Sequence, residues 1–402
     1  MIKRIKATNF KIFKNLDRSC ARLNLLTGVN GSGKSSLLQL LMLSCRKSCS
    51  EPISFESPNY NDIRYCFAHE DEEVSFSVEF DDDESSPLSY SIKKSDDDIG
   101  ICLECSTNWP YRRNMSFVST FSLESTLIHN NGDLIKVKAP LKEGVRPYGE
   151  WEGVDCFAYL NAFGDFGEET FRSLSDKTNA ANTMRCGGNR LVDWVNYWLN
   201  RISPGASVST ESTMEGNGTV VHIEYNGRKF IPENASNGIY SIIHVLLAVL
   251  TASCEDIVLI QNPEAYLHPH AQSIIAEFLA RAAANGVQLF VETYSYHLIN
   301  GFRVSVKNGI ISAEDVTIME FSRKEIYNEG GGGENNEHEE CGSAANPNEE
   351  PEESINNPKV PSEIYADVKD IKIDSNGEVL DPPQGFMTEW SNQLMALVKD
   401  EQ

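Results

Sequence analysis

The sequence has no apolar stretch long enough to cross a bilayer. Its longest such run, Ile239 to Ala252, falls short of the ~20 residues a spanning helix needs, and it carries His244. The opening residues lack the apolar segment of a secretory leader. Ile2, Ile5, Ala7, Phe10 and Ile12 read as strand instead, so neither a signal peptide nor a membrane partner is expected. A disulfide framework is missing too: ten cysteines in 402 residues are too few for one. Cys102-Leu-Glu-Cys105 is a CxxC with no second pair, so a zinc site there ranks below reduced cysteines in a strand. A cytoplasmic, reducing setting fits these absences. No heptad run is sustained, which argues against a long coiled-coil arm, and no internal repeat is visible. After residue 300 there is no cluster of metal-binding carboxylates of the kind a fused nuclease domain requires. The acids from Glu334 to Glu353 sit in low-complexity sequence.

Positive charge is scarce: 35 Lys and Arg face 59 Asp and Glu, for a net charge of −24. Taken alone, that argues against a general nucleic-acid-binding surface. The acidity is local, however. His69 to Asp98 holds twelve carboxylates and two lysines, and Asn328 to Pro358 holds nine carboxylates and no Lys or Arg. The rest of the chain is close to neutral, and the first fifty residues hold ten Lys and Arg against the single acid Asp17. Those bases line solvated strand edges or form a basic patch; the sequence leaves both readings standing.

Hydrophobic periodicity places the elements. Residues up to Leu26 read as two or three strands, and Ser36 to Cys45 as an apolar helix. Val74, Phe76, Val78, Phe80, Tyr90 and Ile92 alternate, as antiparallel strands do. Leu191, Trp194, Val195, Trp198, Leu199 and Ile202 recur at helical spacing and read as core. Val220 to Phe230 is a hairpin turning at Asn226-Gly227, and Ile239 to Thr251 is a buried helix. Ile257 to Ile260 and Val287 to Val291 are wholly apolar, the mark of central parallel strands, with a helix from Ala271 to Ala284 between them. The fold class is therefore α/β with a mainly parallel central sheet, plus an antiparallel β subdomain. The expected organisation is a head over 1–327, with a β-rich insertion over about 55–150. An acidic linker or loop follows over 328–361, then a small strand–turn–helix tail over 362–402, whose helix runs from Trp390 to Val398.

Gly28-Val29-Asn30-Gly31-Ser32-Gly33-Lys34-Ser35 matches GxxxxGK[ST] between a strand and a helix, the context a phosphate-binding P-loop requires. Its glycines let backbone N–H groups face phosphates, and the helix N-terminus adds its dipole. ATP and Mg²⁺ are the implied ligands. Asn30, Gly31, Ser32, Gly33, Lys34, Ser35 and Ser36 would hold the nucleotide, with Lys34 on the β- and γ-phosphates and Ser35 on the metal. A second constellation begins at Asp256 and runs through Gln261-Asn262-Pro263-Glu264 to Leu267-His268-Pro269. A buried strand delivers these polar groups at its C-terminal end, where open α/β sheets bind ligands. Glu264 lies just beyond the strand and is the candidate to polarise a water against the γ-phosphate.

With these motifs the chain resembles ABC-type ATPases of the OLD/RecF/SMC-like class. Within that class it is most similar to compact bacterial ATPases of anti-phage defence systems and of families of unknown role. The resemblance rests on the P-loop, on Ser236-Asn237-Gly238 before a helix, on Gln261 to Glu264 with Leu267-His268-Pro269, and on Glu292-Thr293-Tyr294-Ser295-Tyr296-His297. Gly377-Glu378-Val379 and Gly385-Phe386 resemble the tail of one branch. It implies an ABC-ATPase-like head that closes on nucleotide against a second head, whose signature residues here would be Ser236 and Gly238. The implied partners are a second copy, as a homodimer or higher oligomer, and a separate effector such as a nuclease or toxin.

The departures bear on turnover. Gln261 stands where the family usually has an acid that helps hold Mg²⁺, and an amide oxygen lacks the charge that favours a hard cation. Tyr294 stands where the family has a histidine that contacts the γ-phosphate, and Tyr296 where it has an aspartate. Tyr159 to Gly164 lacks the family's acid–arginine pair, and Gln39, inside the first helix, reads as helix surface and not as a Q-loop residue. Three readings stay open: an active regulatory ATPase in antiviral defence, a nucleotide-bound scaffold impaired by Gln261 and Tyr294, and a DNA-clamping RecF/SMC-like ATPase.

Overall fold

The structure is a computed structural model. It describes residues 1–44, 60–69, 71–81, 87–94, 101–105, 115–119, 124–128, 134–138, 191–212, 219–231, 235–250, 252, 254–327, 361–383, 385–388, 392 and 395–396. The acidic segment 328–360, the stretch Tyr159 to Gly164 and most of the expected C-terminal helix lie outside the described residues.

Three strands open the chain: β1 (Ile2–Phe10), β2 (Phe13–Ser19) and β3 (Leu23–Gly28). Helix α1 (Lys34–Ser44) follows the P-loop, and a single turn, α2 (Tyr60–Ile63), comes next. Strands β4 (Val74–Phe80), β5 (Leu88–Lys94) and β6 (Ile101–Cys105) join β1 and β2 in an antiparallel sheet of order β2-β1-β4-β5-β6. The next three, β7 (Met115–Ser119), β8 (Glu124–Ile128) and β9 (Leu134–Lys138), form one margin of the central sheet. The β-rich region is thus divided between two sheets.

Helix α3 (Leu191–Ile202) leads into a small antiparallel sheet of β10 (Ala206–Ser212), β11 (Thr219–Tyr225) and β12 (Arg228–Phe230). Asn226 and Gly227 both take positive φ between β11 and β12, as a tight hairpin demands. The remaining elements are α4 (Asn237–Leu250), β13 (Ile257–Gln261), α5 (Pro269–Ala284), β14 (Gln288–Glu292) and α6 (Tyr296–Lys307). They are followed by β15 (Val316–Ile326), β16 (Glu363–Ile373) and β17 (Val379–Leu380).

The central sheet has nine strands in the order β17-β16-β15-β3-β14-β13-β7-β8-β9. The inner run from β15 to β7 is parallel, and both margins are antiparallel. β16 pairs with β15 in register from Ile318–Ile371 to Ile326–Glu363, so the C-terminal residues extend the same sheet as the P-loop strand.

Period-two alternation divides the core between the two faces of this sheet. Leu23, Leu25, Val258, Ile260, Leu289 and Val291 face helices α3 to α6. Leu26, Ile257, Leu259, Phe290, Met319 and Phe321 face α1 and the first antiparallel sheet. Both faces are covered, which is why β13 and β14 read as unbroken apolar runs. Trp198 on α3 is fully buried and packs on Phe278 of α5, ring centroids 5.0 Å apart. Trp198→Ala is expected to cost about 3–5 kcal/mol of unfolding free energy, read as a lower denaturant midpoint in a urea titration.

Four basic residues near the first strands lie beside acids. Arg4 pairs with Asp17 at 2.6 Å, Lys14 with Glu363 at 2.7 Å, Arg18 with Asp370 at 3.9 Å and Arg22 with Asp315 at 3.3 Å. Lys11 donates to Gln39 Oε1 on α1. Exposed pairs like these add little stability, but they set an acid beside four of the ten basic residues of the first fifty.

Candidate functional site

β3, β14 and β13 are parallel neighbours, so their C-terminal ends open on one edge of the sheet. The P-loop leaves β3 at this edge. Gly28 has φ +128°, and a Cβ there would sit 2.0 Å from the carbonyl oxygen of Phe321 on β15, so only glycine fits. Val29, Asn30 and Gly31 form the exposed crest of the loop. Ser32 is buried, and its hydroxyl donates to Val29 O at 2.8 Å. Lys34 opens α1, with Ser35 and Ser36 half-buried behind it.

Lys34 is buried, and its ammonium donates to Gly28 O at 2.8 Å and Val29 O at 2.6 Å. The ammonium also lies over the Tyr294 ring, 4.4 Å from the centroid. Burial lowers the Lys34 pKa to about 8, although the Glu292 carboxylate opposes the shift. Tyr294 sits just beyond β14; burial, then Glu292 and Glu264, push its hydroxyl pKa up, so it remains a hydrogen-bond donor.

Beyond β13 the chain makes two successive turns. Asn262 takes φ +51° and donates its N–H to Glu292 O at 2.8 Å, Ala265 N donates to Asn262 O at 3.0 Å, and Leu267 N donates to Glu264 O at 3.1 Å. These turns point the Glu264 carboxylate inward, leaving the residue only 8 % exposed. Its Oε1 accepts from Tyr294 N at 2.9 Å, while Oε2 is buried and, among the described residues, has no hydrogen-bond partner within 3.5 Å. Burial raises the Glu264 pKa; hydrogen bonds, chiefly from the Tyr294 N–H, offset part of the rise. Gln272 on α5 braces the turn by donating to Leu267 O at 2.9 Å, and Ser295 Oγ bonds Gln272 Oε1. Ser295 also caps α6, accepting from Leu298 N at 3.2 Å.

Ser35 Oγ donates to Glu292 Oε1 at 2.7 Å. The amide nitrogen of Gln261 donates to Glu292 Oε2 at 3.2 Å and to Ser35 Oγ at 3.3 Å. Glu292 was not among the residues singled out from the sequence as site residues. It closes an apolar strand and appeared there only as the first letter of the Glu292–His297 segment. A charged residue ending a wholly buried strand, at the same sheet edge as Gln261, is the signal that would have found it. Burial raises its pKa against the opposing effects of Ser35, Lys34 and Gln261.

Lys34, Ser35, Gln261, Glu264 and Tyr294 are therefore brought together at one edge. Ser236 and Gly238 are placed differently. Ser236 is exposed and opens α4, accepting from Ile239 N at 3.4 Å, and among the described residues no hydrogen bond ties it to the P-loop. Gly238 lets α4 approach the turn after β13, because a Cβ there would lie 2.7 Å from Tyr266 O. Tyr266 itself is 64 % exposed.

Residues 154–300 match a family model described as "AAA domain, putative AbiEii toxin, Type IV TA system". No curated protein matches the chain significantly in sequence. Similar solved structures include an Smc head bound to the C-terminal winged-helix domain of ScpA, with TM-score 0.47 and 12 % identity over 80 % of this chain and 94 % of that one. They also include an Smc head with an extended coiled coil, bound to the C-terminal domain of ScpA, from Pyrococcus furiosus; its TM-score is 0.47, with 10 % identity over 80 % of this chain and 93 % of that one. The SMC head of Thermotoga maritima has TM-score 0.40 and 10 % identity over 80 % and 94 %. These likenesses are distant.

Proposed function

We propose that this chain is the ATP-binding head of an ABC-type ATPase that pairs with a second copy around nucleotide, hydrolyses ATP and regulates a separate effector in prokaryotic antiviral defence. The observation that carries the reading is Glu264. It is a buried carboxylate with one oxygen held by a backbone N–H and the other, among the described residues, unpartnered, at the sheet edge onto which the P-loop opens. That is the placement a general base needs, with a raised pKa that strengthens it. The P-loop amides and Lys34 would hold the phosphates, and Tyr294, whose ring lies against Lys34, offers a neutral hydroxyl donor beside them.

Ser35 Oγ, at the start of α1, is a hard oxygen donor that suits Mg²⁺, and the Gln261 amide lies 3.3 Å from it. Ser35 would hold the ion with Gln261 beside it, and the bound ion would neutralise phosphate charge. Among the described residues no group of three or more His, Cys, Asp or Glu is arranged to hold a metal. The toxin–antitoxin description of the matched family supports the defence setting. Neutralisation of Arg4, Lys14, Arg18 and Arg22 by nearby acids weighs against the DNA-clamping alternative. Among the described residues no helix is long and apolar enough to cross a membrane.

Exposed Ser236 and Tyr266 are the surfaces offered to the second head. Sedimentation velocity should show Glu264→Gln shifting from monomer to dimer on addition of ATP, with Ser236→Arg in the same background staying monomeric while still binding ATP. A nucleotide-bound Glu264→Gln protein that remains monomeric contradicts the paired-head reading.

A further inference from the structure

Glu292 is a buried acid at the end of β14 with no part in holding phosphate or activating water. It is 1 % exposed, yet the groups that bond its carboxylate are neutral: the Ser35 hydroxyl and the Gln261 amide. The nearby Lys34 ammonium favours the charged acid through space, but its hydrogen bonds go to the carbonyls of Gly28 and Val29 and not to the carboxylate. A buried carboxylate held by neutral donors is costly unless a cation compensates it. Such groups concentrate where the charge is used.

Its position is specific. Gln261 and Glu292 are register partners, the last rung of the parallel β13–β14 ladder. β14 lies between β13 and β3, so this rung ends beside the P-loop, and both side chains reach the same Ser35 hydroxyl. Gln261 turns its amide nitrogen toward the site, where it serves as a donor to the acid. A hard divalent cation favours anionic oxygen over amide oxygen. Of the three side chains meeting here, only Glu292 supplies it.

We propose that Glu292 provides the carboxylate charge for the Mg²⁺ that accompanies ATP, and that Gln261 is its positioning residue, so that acid and amide stand transposed across one rung of the ladder. This deepens the ATP-binding reading and rests on it. Gln261 then marks no lost metal site, because the charge is carried by the neighbouring strand.

The test is the ratio of ATP affinity in Mg²⁺ to ATP affinity in EDTA, measured by calorimetry with no turnover required. The wild type should bind ATP more tightly with Mg²⁺, and Glu292→Gln should lower that ratio about 10- to 100-fold. The exchange Gln261→Glu/Glu292→Gln keeps the composition and charge of the pair, guards against a simple folding defect, and should restore the ratio. A Glu292→Gln protein that keeps the full Mg²⁺ effect overturns the proposal. So does an exchanged protein that binds ATP in EDTA but gains nothing from Mg²⁺. A wild type that binds no ATP under either condition overturns the underlying reading as well, which separates the two failures.

Discussion

Lys34→Met is expected to weaken ATP binding about 100-fold or more. Among the described residues the ammonium is the one cation bonded into the loop, and its present partners, Gly28 O and Val29 O, are neutral carbonyls. Phosphate oxygens would replace them with charge-assisted contacts worth about 1.5–3 kcal/mol each. Losing about 3 kcal/mol corresponds to about a hundredfold in Kd at ~1.4 kcal/mol per decade. The lysine also gives the binding a pH signature. Its pKa is lowered to about 8 chiefly by burial. Bound phosphates stabilise the charged form and raise that value, so binding above about pH 8 must take up a proton. Affinity should be flat below pH 8 and fall about tenfold per pH unit above it, until the bound-state pKa is reached. Calorimetry in two buffers of different ionisation enthalpy checks the proton uptake, and Lys34→Met should show none.

The second large effect is on turnover. Glu264→Gln should lower kcat by about 10²- to 10⁴-fold, the usual contribution of a positioned general base, while ATP still binds. The amide can still accept from Tyr294 N, so the local geometry should persist. Because burial raises the Glu264 pKa, the acidic limb of the wild-type kcat profile should lie above the ordinary glutamate range of ~4.3. The same shift has a sign in stability. A carboxyl with a raised folded-state pKa costs stability as pH rises from its unfolded value through its folded one. Glu264→Gln should therefore melt above wild type near neutral pH, and the gap should close in acid. A variant with wild-type turnover would remove Glu264 from the chemistry.

Much of this architecture was legible because its residues face strong constraints. Ile257 to Ile260 and Val287 to Val291 are apolar without interruption because helices cover one face of the central sheet and the first antiparallel sheet covers the other. The helix expected from Ala271 begins two residues earlier, at Pro269 with His268 as its cap, whereas its end at Asn285-Gly286 is written in local chemistry that needs no partner. The role of Glu292 was hidden for a different reason. Its neighbours Ser35 and Gln261 are 257 and 31 residues away in sequence. Only the strand order, with β14 inserted between β3 and β13, brings them together. The division of β4 to β9 between two sheets was hidden in the same way. Alternation reports that a strand has a buried face, and says nothing of which sheet receives it.

Phosphate release from ATP, followed at increasing protein concentration with Lys34→Met as the blank, tests the central claim most directly. A chain whose catalytic site is completed by a second head should release phosphate above the blank, with a rate per protomer that climbs with concentration before levelling off. Release at the blank level from protein that binds Mg²⁺ and ATP, or a rate per protomer independent of concentration in the monomeric range, would contradict it.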